Sequence, residues 1–464
     1  IKRVAVIGAG PAGAIATDAL IKEQAFSTIR VFDRQTVPGG TWVLTPQNTG
    51  GIPSLSDLIH HTANKSIPIP STFPCETPLT KETNSPEHRF SDTGSHAQLH
   101  SNLPPEIMCF TQEPIPAVLS EHTLAQYGPA SPFRSREVMQ DWVSSIFTRN
   151  KYDHLLELGT TVELAERQPE GWVLTLRKIA PGGGKNYWWE ERFDAIVVAT
   201  GHYYLPYIPD IPGLVEYEEK FPGTVKHSKH YRTVEDYRNK RVLVVGGSIS
   251  AFDALHDNCP ISKTPIISSL RKPSAIFGPA PFTHPDIDNR SEIASVDPST
   301  GQVHFTDGSS VDKVDHILFA TGYDFSFPFL PQLKSVNKRI PGLYQHFLKI
   351  DDPSLAFIGM VMGGFGIRIF EWQAVATARI FAGHTTLPSQ EEMVKWETDR
   401  LAQCGDGAAF WALIPDFETH FEALRVLAGE PVRGTKGRVL PRYRAEWGER
   451  FWEFVGWRVG VWER

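Results

Sequence analysis

The sequence predicts an α/β protein with two Rossmann-like dinucleotide-binding domains, one inserted in the other. Three observations carry that expectation. The stretch VAVIGAGPAG, residues 4–13, joins an apolar strand to a glycine turn and a helix. The stretch RVLVVGGSISAFDAL, residues 241–255, repeats that pattern in altered form. The tripeptide Ala-Thr-Gly ends an apolar strand twice, at residues 199–201 and 320–322.

Size and composition agree with this architecture. At 464 residues the chain is too long for one ordinary core. It is 41% hydrophobic and 21% charged, as expected of a soluble globular protein. The net charge of −7 argues against a nucleic-acid partner and against a basic membrane-binding surface. No apolar run approaches bilayer length, so no membrane partner and a cytoplasmic location are expected. Cys75, Cys109, Cys259 and Cys404 form no C-x-x-C pair, which disfavours a dithiol redox motif and fits a reducing compartment. The 17 histidines are scattered, and no metal site is expected.

Taken in order, residues 3–7 read as a strand, AIATDALIKE as a helix, and TIRVF as a second strand ending at Asp33. From Leu44 to Ala130 the periodicity fades into a stretch with about a dozen prolines, the kind of long insert that is often functional. Ser135 is placed to cap a helix whose face carries Val138, Met139, Trp142, Val143, Ile146 and Phe147. WVLTL, NYWWEERF and FDAIVVATG read as strands, and LPYIPDIPG as a proline-rich linker. The second glycine unit follows, with PIISSL as its next strand and a hairpin-like segment over residues 301–322. The remaining chain is expected to return to the first domain, with a helix capped by Ser389 and Glu392. The aromatic tail AEWGERFWEFVGWRVGVWER reads as a terminal segment packed against the body; a membrane-surface helix is the alternative.

The first turn has every part of the dinucleotide fingerprint. Gly8 permits the tight turn, Gly10 a close approach to a pyrophosphate, and Gly13 close helix packing. Pro11 and Ala12 open a helix whose free N–H groups face the phosphates. Asp33, 20 residues past Gly13, is expected to accept from both ribose hydroxyls, and Arg34 follows it into the cofactor site. The turn alone does not separate FAD from NAD. Gly40, Thr41 and Trp42 of PGGTW suit a backbone passing close to a large flat ring.

The second turn is imperfect. Gly246 is retained, Ser248 replaces the middle glycine, Ser250 follows, and Ala251 stands in the third position. Twenty residues past Ala251, where the first unit has its acid, lie Arg271 and Lys272. An acid there would repel a 2′-phosphate, whereas an arginine can hold one bidentately. The pair points to NADP(H) in the second unit and an unphosphorylated ribose in the first. A purely structural strand–turn–helix with a surface Arg-Lys pair is the alternative. Two such sites make a flavin reductase module, with molecular oxygen or a small quinone-like molecule as electron acceptor.

Between the first Ala-Thr-Gly and the second turn lies FPGTVKHSKHY, in which Phe221, Gly223, His227 and Tyr231 form F-x-G-x-x-x-H-x-x-x-Y. This resembles the signature of the flavin-containing monooxygenases, class B flavoprotein monooxygenases, as found in soluble microbial and fungal members. The resemblance extends to the first turn, GGTW, the two Ala-Thr-Gly strands, the G-x-S-x-x-A turn and HILFATGYDFSFPFL. It implies an NADPH-binding domain over 204–323 inserted in an FAD-binding domain over 1–203 and 324–464, with the 44–130 insert near the active site. It implies FAD, NADPH and O2 as cofactors and co-substrate. A C4a-hydroperoxyflavin would pass one oxygen to a nucleophilic nitrogen or sulfur of a small organic substrate, an alkaloid or indole nitrogen being one guess. The signature ends Tyr231-Arg232, unlike that of Baeyer–Villiger relatives. Those relatives, or an NADPH flavin oxidase or reductase, remain the alternatives.

The resemblance also suggests individual roles. HSNLPPEIMCF is similar to the family's T-N-x-x-x-E-M segment and places Asn102 by the flavin, with Ser101 where threonine is usual. The alternative is a loop residue ahead of Pro104 and Pro105. Arg271 and Lys272 would meet the 2′-phosphate, and Ser248 and Tyr203 or Tyr204 would lie near the nicotinamide nucleotide. Thr200 and Gly201 complete the cofactor-binding set. A small-molecule substrate and a second copy of the chain, in a homodimer, are the partners expected.

Overall fold

The computed structural model of the chain describes residues 1–45, 52, 54–85, 89–460 and 462. Parts of the insert expected over 44–130 (46–51, 53 and 86–88) and residues 461, 463 and 464 of the tail lie outside the described residues.

The strand Arg3–Ile7 shows why the first sheet forms. Val4 and Val6 enter one core and Ala5 and Ile7 another, so both faces are covered. That is the pattern of a central parallel strand. The sheet has seven strands in the order Leu343–Tyr344, Leu348–Lys349, Leu355–Phe357, Ala195–Val198, Arg3–Ile7, Thr28–Asp33, Leu156–Leu158. Pairing is parallel from Leu355–Phe357 onward and antiparallel in the edge hairpin. The helix Pro11–Glu23 carries proline at its start, where a missing N–H costs nothing. It lies beside the helix Gly366–Ala382, which belongs to the returning chain.

A second, fully parallel sheet has the order Val225–His227, His316–Phe319, Val242–Val245, Ile266–Ser269, Ile287–Arg290. It lies within the sequence interval between two neighbouring strands of the first sheet, Ala195–Val198 and Leu355–Phe357. The fold is therefore α/β with two Rossmann-like units, the second inserted in the first. The expected hairpin over 301–322 becomes a three-stranded antiparallel layer, Ile293–Val296, Val303–Phe305 and Ser310–Val311, followed by the parallel strand His316–Phe319.

Several details differ from the sequence reading. The stretch 205–213 is not a free linker. Leu205–Pro206 pairs with Tyr323–Asp324, and Ile208 and Ile211 are buried, so both crossings between the units are zipped together. The insert holds the short helices Leu55–Ile59, Lys81–Asn84, Pro105–Met108 and Glu121–Tyr127. Its strand Cys75–Pro78 joins Lys185–Phe193, Gly171–Ile179 and Thr160–Gln168 in an antiparallel sheet. Elements of four to seven residues are too short to show a period. The helix Arg136–Arg149 buries Met139, Trp142, Val143, Ile146 and Phe147, but the Ser135 hydroxyl makes no cap bond. Ser389 and Glu392 do form a reciprocal capping box.

Buried ions tie the returning chain to the first helix. Arg438 is fully buried, pairs with Asp18, and meets Glu371 at 2.7 Å. Arg379 reaches Glu23 at 3.1 Å. Such pairs persist only when each charge is matched, as here. The tail helix Ala445–Gly460 packs Trp447, Phe451, Phe454 and Val455 into the first unit's core, as the packed-segment reading expected. Among the described residues no helix is long and apolar enough to cross a membrane.

Candidate functional site

The two glycine turns are built alike. Gly8 has φ +114°, and a Cβ there would collide with the carbonyl oxygen of Ala199. Gly246 has φ +140°, and a Cβ there would collide with the carbonyl oxygen of Ala320. In each unit the turn glycine is thus required by the alanine of the neighbouring Ala-Thr-Gly strand. The third positions differ. Gly13 sits against the Gly8 carbonyl with no room for a side chain, whereas Ala251 is buried with its methyl accommodated.

Both turns open onto a bare helix end. The helix Pro11–Glu23 has Gly10 as N-cap, and the first helical bond runs from Ala14 N–H to Gly10 at 2.9 Å. The amides of Ala12 and Gly13 lie before it. The helix Ile249–Asn258 has Ser248 as N-cap, whose hydroxyl makes no cap bond, and its first helical bond runs from Phe252 N–H to Ser248 at 2.9 Å. The amides of Ile249, Ser250 and Ala251 lie before that one. Each end is a ready anion site by geometry and dipole.

The PGGTW segment is laid on the first turn. Gly39 N–H donates to the Ala9 carbonyl at 3.0 Å. A Cβ on Gly40, at φ +59°, would lie 2.8 Å from the Gly10 Cα, so the two glycines let two backbones touch. Thr41 and Trp42 continue this 3-10 turn, with Trp42 buried and its indole N–H without a partner. The Gln35 amide nearby is also buried and unpartnered. Buried polar groups without partners are rare in finished sites and mark where a polar ligand would fit.

Asp33 differs from the expectation in one respect. Its carboxylate accepts from the turn itself, from Ala9 N–H at 2.6 Å and Gln35 N–H at 2.8 Å. Each oxygen keeps a second lone pair, so Asp33 clasps the turn whatever else it binds. Arg34 also turns inward. Its guanidinium lies 4.4 Å from the Tyr204 ring centre and donates to the carbonyls of Arg89 and Phe90 at 3.2 Å. Tyr204 is therefore joined to the first unit's Arg34, while Tyr203 is half-exposed beside His202 and Tyr323. Thr200 and Gly201 lie at the strand end, the Thr200 hydroxyl 3.4 Å from the Gly201 carbonyl.

Asn102 is exposed, on a loop held by its neighbour. Ser101 N–H donates to the Arg134 carbonyl at 2.8 Å, and its hydroxyl accepts from Arg134 N–H at 3.1 Å. Two residues on, Arg136 donates to the Trp42 carbonyl at 3.1 Å. These bonds bring the Asn102 loop beside the Gly40–Trp42 turn. In the second unit, Arg271 is 80% exposed and meets Glu292 at 2.9 Å. An exposed pair of that kind is weak and exchanges readily for a stronger anion. The Lys272 backbone packs on Gly247 of the second turn, which brings the strand end that carries both cations beside it.

Sequence reasoning named His227 as part of the signature but missed how Lys229 and Arg232 lock that signature to Asp92 and Thr93 of the insert. His227 is fully buried, its Nε2–H donating to the Gly322 carbonyl at 2.9 Å and its Nδ1 accepting from Lys229 N–H at 3.0 Å. Burial pushes its pKa down to about 3. The buried Lys229 ammonium donates to the Tyr204 carbonyl at 2.7 Å and pairs with Asp92 at 2.9 Å, and burial pushes it down to about 8. Burial alone would raise the Asp92 carboxyl, but the neighbouring His230 and the Lys229 ammonium outweigh it and hold it well below the usual range. Arg232 donates to the carbonyls of Thr93 at 3.0 Å and Lys229 at 2.6 Å.

Comparison with known proteins gives this geometry its setting. The family model for flavin-binding monooxygenase-like proteins matches residues 183–278 and 284–408. The flavin-containing monooxygenase FMO GS-OX3 of Arabidopsis thaliana is 30% identical over 406 residues, covering 85% of this chain and 76% of its own. The chain belongs to the flavin-containing monooxygenase family. The flavin-containing monooxygenase ustF2 of Aspergillus flavus is 26% identical over 455 residues, covering 91% of this chain and 90% of its own. Among solved structures, S-allyl-L-cysteine S-oxygenase from Allium sativum has the same fold. Its TM-score is 0.74 with 23% identity, covering 99% of this chain and 93% of that one. As a flavin-containing monooxygenase family member the chain is a flavoprotein oxidoreductase of the monooxygenase class.

Proposed function

We propose that the chain is an NADPH- and O2-dependent FAD monooxygenase. It transfers one oxygen atom to a nucleophilic nitrogen or sulfur of a small organic substrate, with an alkaloid or indole nitrogen as the natural-product case. The observation that carries this reading is the pair of turns, each keyed to an Ala-Thr-Gly carbonyl. One is followed by a buried acid and the other by two cations.

In this reading FAD belongs to the first turn. The residues there fit it: Gly10 and Gly40 let the turn and the PGGTW backbone touch without side chains between them, and Trp42 and Gln35 offer unpartnered buried polar groups. The amides of Ala12 and Gly13 would meet the pyrophosphate. Asp33 would hold the ribose with the lone pairs its clasp leaves over. When bound, the flavin supplies hydride acceptance and the transfer of oxygen from O2. NADPH belongs to the second turn, its pyrophosphate at Ser248, Ser250 and the helix end, its 2′-phosphate taking the place of Glu292 at Arg271, with Lys272 next in sequence. Residues 1–203 and 324–464 form the FAD domain and 204–323 the NADPH domain. Asn102 offers a donor and an acceptor without charge, which orients a neutral reacting group and leaves its proton in place. Lys229, Asp92 and Arg232 hold the insert over the site and keep water out. A cytoplasmic location and a homodimer complete the reading.

Ketone insertion is the rival chemistry. In this chain Arg232, which ends the signature, has its guanidinium on the backbone carbonyls of Thr93, Lys229 and Tyr231, anchoring the insert. Substrate-dependent NADPH oxidation, with product masses, tests the proposal across amines, thioethers and cyclic ketones. Oxygenated amines or thioethers support it. Lactone or ester products alone, or peroxide release with every substrate, refute it.

A further inference from the structure

The C-terminal helix Ala445–Gly460 touches both Rossmann-like units. Its first half is rooted in the first. Trp447 meets Trp372 edge-on at 6.0 Å, Phe451 meets Phe365 at 5.8 Å, and Phe454 meets Phe133 at 5.4 Å. Its last turn also reaches the second. The Arg458 side chain is 11% exposed and pairs with Asp253 of the helix Ile249–Asn258. Its guanidinium lies 5.6 Å from the Phe252 ring centre and 5.9 Å from that of Phe277. Just beyond the helix, Trp462 is buried edge-on against Phe252 at 5.7 Å, His256 at 5.6 Å and His284 at 5.5 Å.

The helix that receives these contacts starts at the second glycine turn. An element rooted in the first unit therefore grips the back of the second unit's nucleotide-binding helix. The crossings are joined by a two-residue pairing, Leu205–Pro206 with Tyr323–Asp324, and Lys229–Asp92 and Arg232–Thr93 tie the insert to the second unit, but these contacts lie away from the helix Ile249–Asn258. Relative motion of two units so joined is the default unless a further contact opposes it. Arg458 and Trp462 supply such a contact. The Arg458 guanidinium is largely buried beside two adjacent rings, Phe252 and Phe277, its partner Asp253 is half-exposed, and the indole sits among Phe252, His256 and His284.

We propose that Arg458 and Trp462 are positioning residues for hydride transfer. They set the angle of the helix Ile249–Asn258, and with it the placement of the nicotinamide against the flavin. This rests on the reading of the second turn as the NADPH site. A displacement of about 1 Å between reacting centres costs on the order of 100-fold in rate, whereas nucleotide binding within the second unit is not altered by the angle between units.

The test is anaerobic stopped-flow reduction of the FAD-loaded protein by NADPH. Wild type is compared with Arg458→Asp, Trp462→Ala and the double variant Arg458→Asp with Asp253→Arg. The limiting reduction rate is expected to fall roughly 10-fold or more in each single variant, within the range that small misplacements produce. The Kd for NADPH and the FAD content should stay near wild type, and the charge-swapped double variant should recover most of the rate. Wild-type limiting rates in both single variants overturn the proposal, as does a change in Kd alone. If Trp462→Ala does not fold, the charge reversal and its rescue decide the matter. If wild type itself is not reduced by NADPH, the cofactor reading of the second turn falls, and this proposal with it.

Discussion

Replacing His227 tests how the signature is tied to the end of the second Ala-Thr-Gly strand. The ring is fully buried and makes two bonds to backbone, Nε2–H to Gly322 at 2.9 Å and Nδ1 from Lys229 at 3.0 Å. Glutamine places its amide nitrogen near the Nε2 position and keeps the first bond. Asparagine reaches the Nδ1 position and keeps the second. Each substitution leaves one buried backbone group unpaired, at about 1–3 kcal/mol. Alanine strands both and adds a cavity, for roughly 3–6 kcal/mol. Urea unfolding followed by tryptophan fluorescence reads the difference. With an m-value of about 3 kcal/mol/M or more for a chain this long, a loss of 2 kcal/mol moves the midpoint by roughly 0.5 M. The expected order is wild type, then glutamine and asparagine together, then alanine lowest. The same ring carries a pH signature. Its pKa falls from 6.5 unfolded to about 3 folded, so the unfolded chain binds the extra proton between those values. The stability it contributes is complete above pH 6.5 and is lost as pH falls toward 3, at about 1.4 kcal/mol per unit. That slope should be missing from the His227 variants. An alanine variant no less stable than the asparagine and glutamine ones, or with wild-type pH dependence, would refute the reasoning.

Three further expectations concern the cofactor sites. Arg271→Ala should raise the KM for NADPH about 10-fold or more, from loss of a charge-assisted bidentate contact, and leave that for NADH nearly unchanged; equal effects on both would remove the 2′-phosphate role. Asn102→Ala should leave flavin reduction by NADPH intact but divert turnover from product to hydrogen peroxide, read by peroxide assay against product yield. Unchanged coupling would make Asn102 an ordinary loop residue. Asp33→Ala removes both the clasp on Ala9 and Gln35 and the ribose acceptor, so FAD affinity should fall roughly 10- to 100-fold, at about 1.4 kcal/mol per decade. Full FAD occupancy after dialysis would count against it.

Much of the architecture was legible because it depends on local pattern. The strand, glycine turn, helix and terminal acid of the first unit lie within about thirty residues, and the second unit repeats their spacing. The two Ala-Thr-Gly strands were legible as a repeat, but that each alanine carbonyl abuts the turn glycine of its own unit was not. What escaped was long-range. Nothing near Lys229 announces that it will be buried against Asp92, more than a hundred residues earlier. Arg438 and Asp18 are more than four hundred residues apart. The proline-rich 205–213 stretch has the composition of a linker, and its pairing with Tyr323–Asp324 depends on a strand end that only the fold brings near. The Asp33 role was half visible: the spacing gave its place, but not that its own turn would occupy one lone pair on each oxygen. The tail read as packed from its aromatic content, yet its hold on both units needed Asp253 and Phe252 to be in view.

The measurement that bears most directly on the account is isotopic. The FAD-loaded protein would be supplied with NADPH, labelled dioxygen and a panel of tertiary amines, indoles and thioethers, and the products analysed by mass. One labelled oxygen atom is expected on the nitrogen or sulfur of at least one substrate, formed in proportion to the NADPH consumed. NADPH consumption that yields only labelled peroxide, with no label in any substrate, would contradict it.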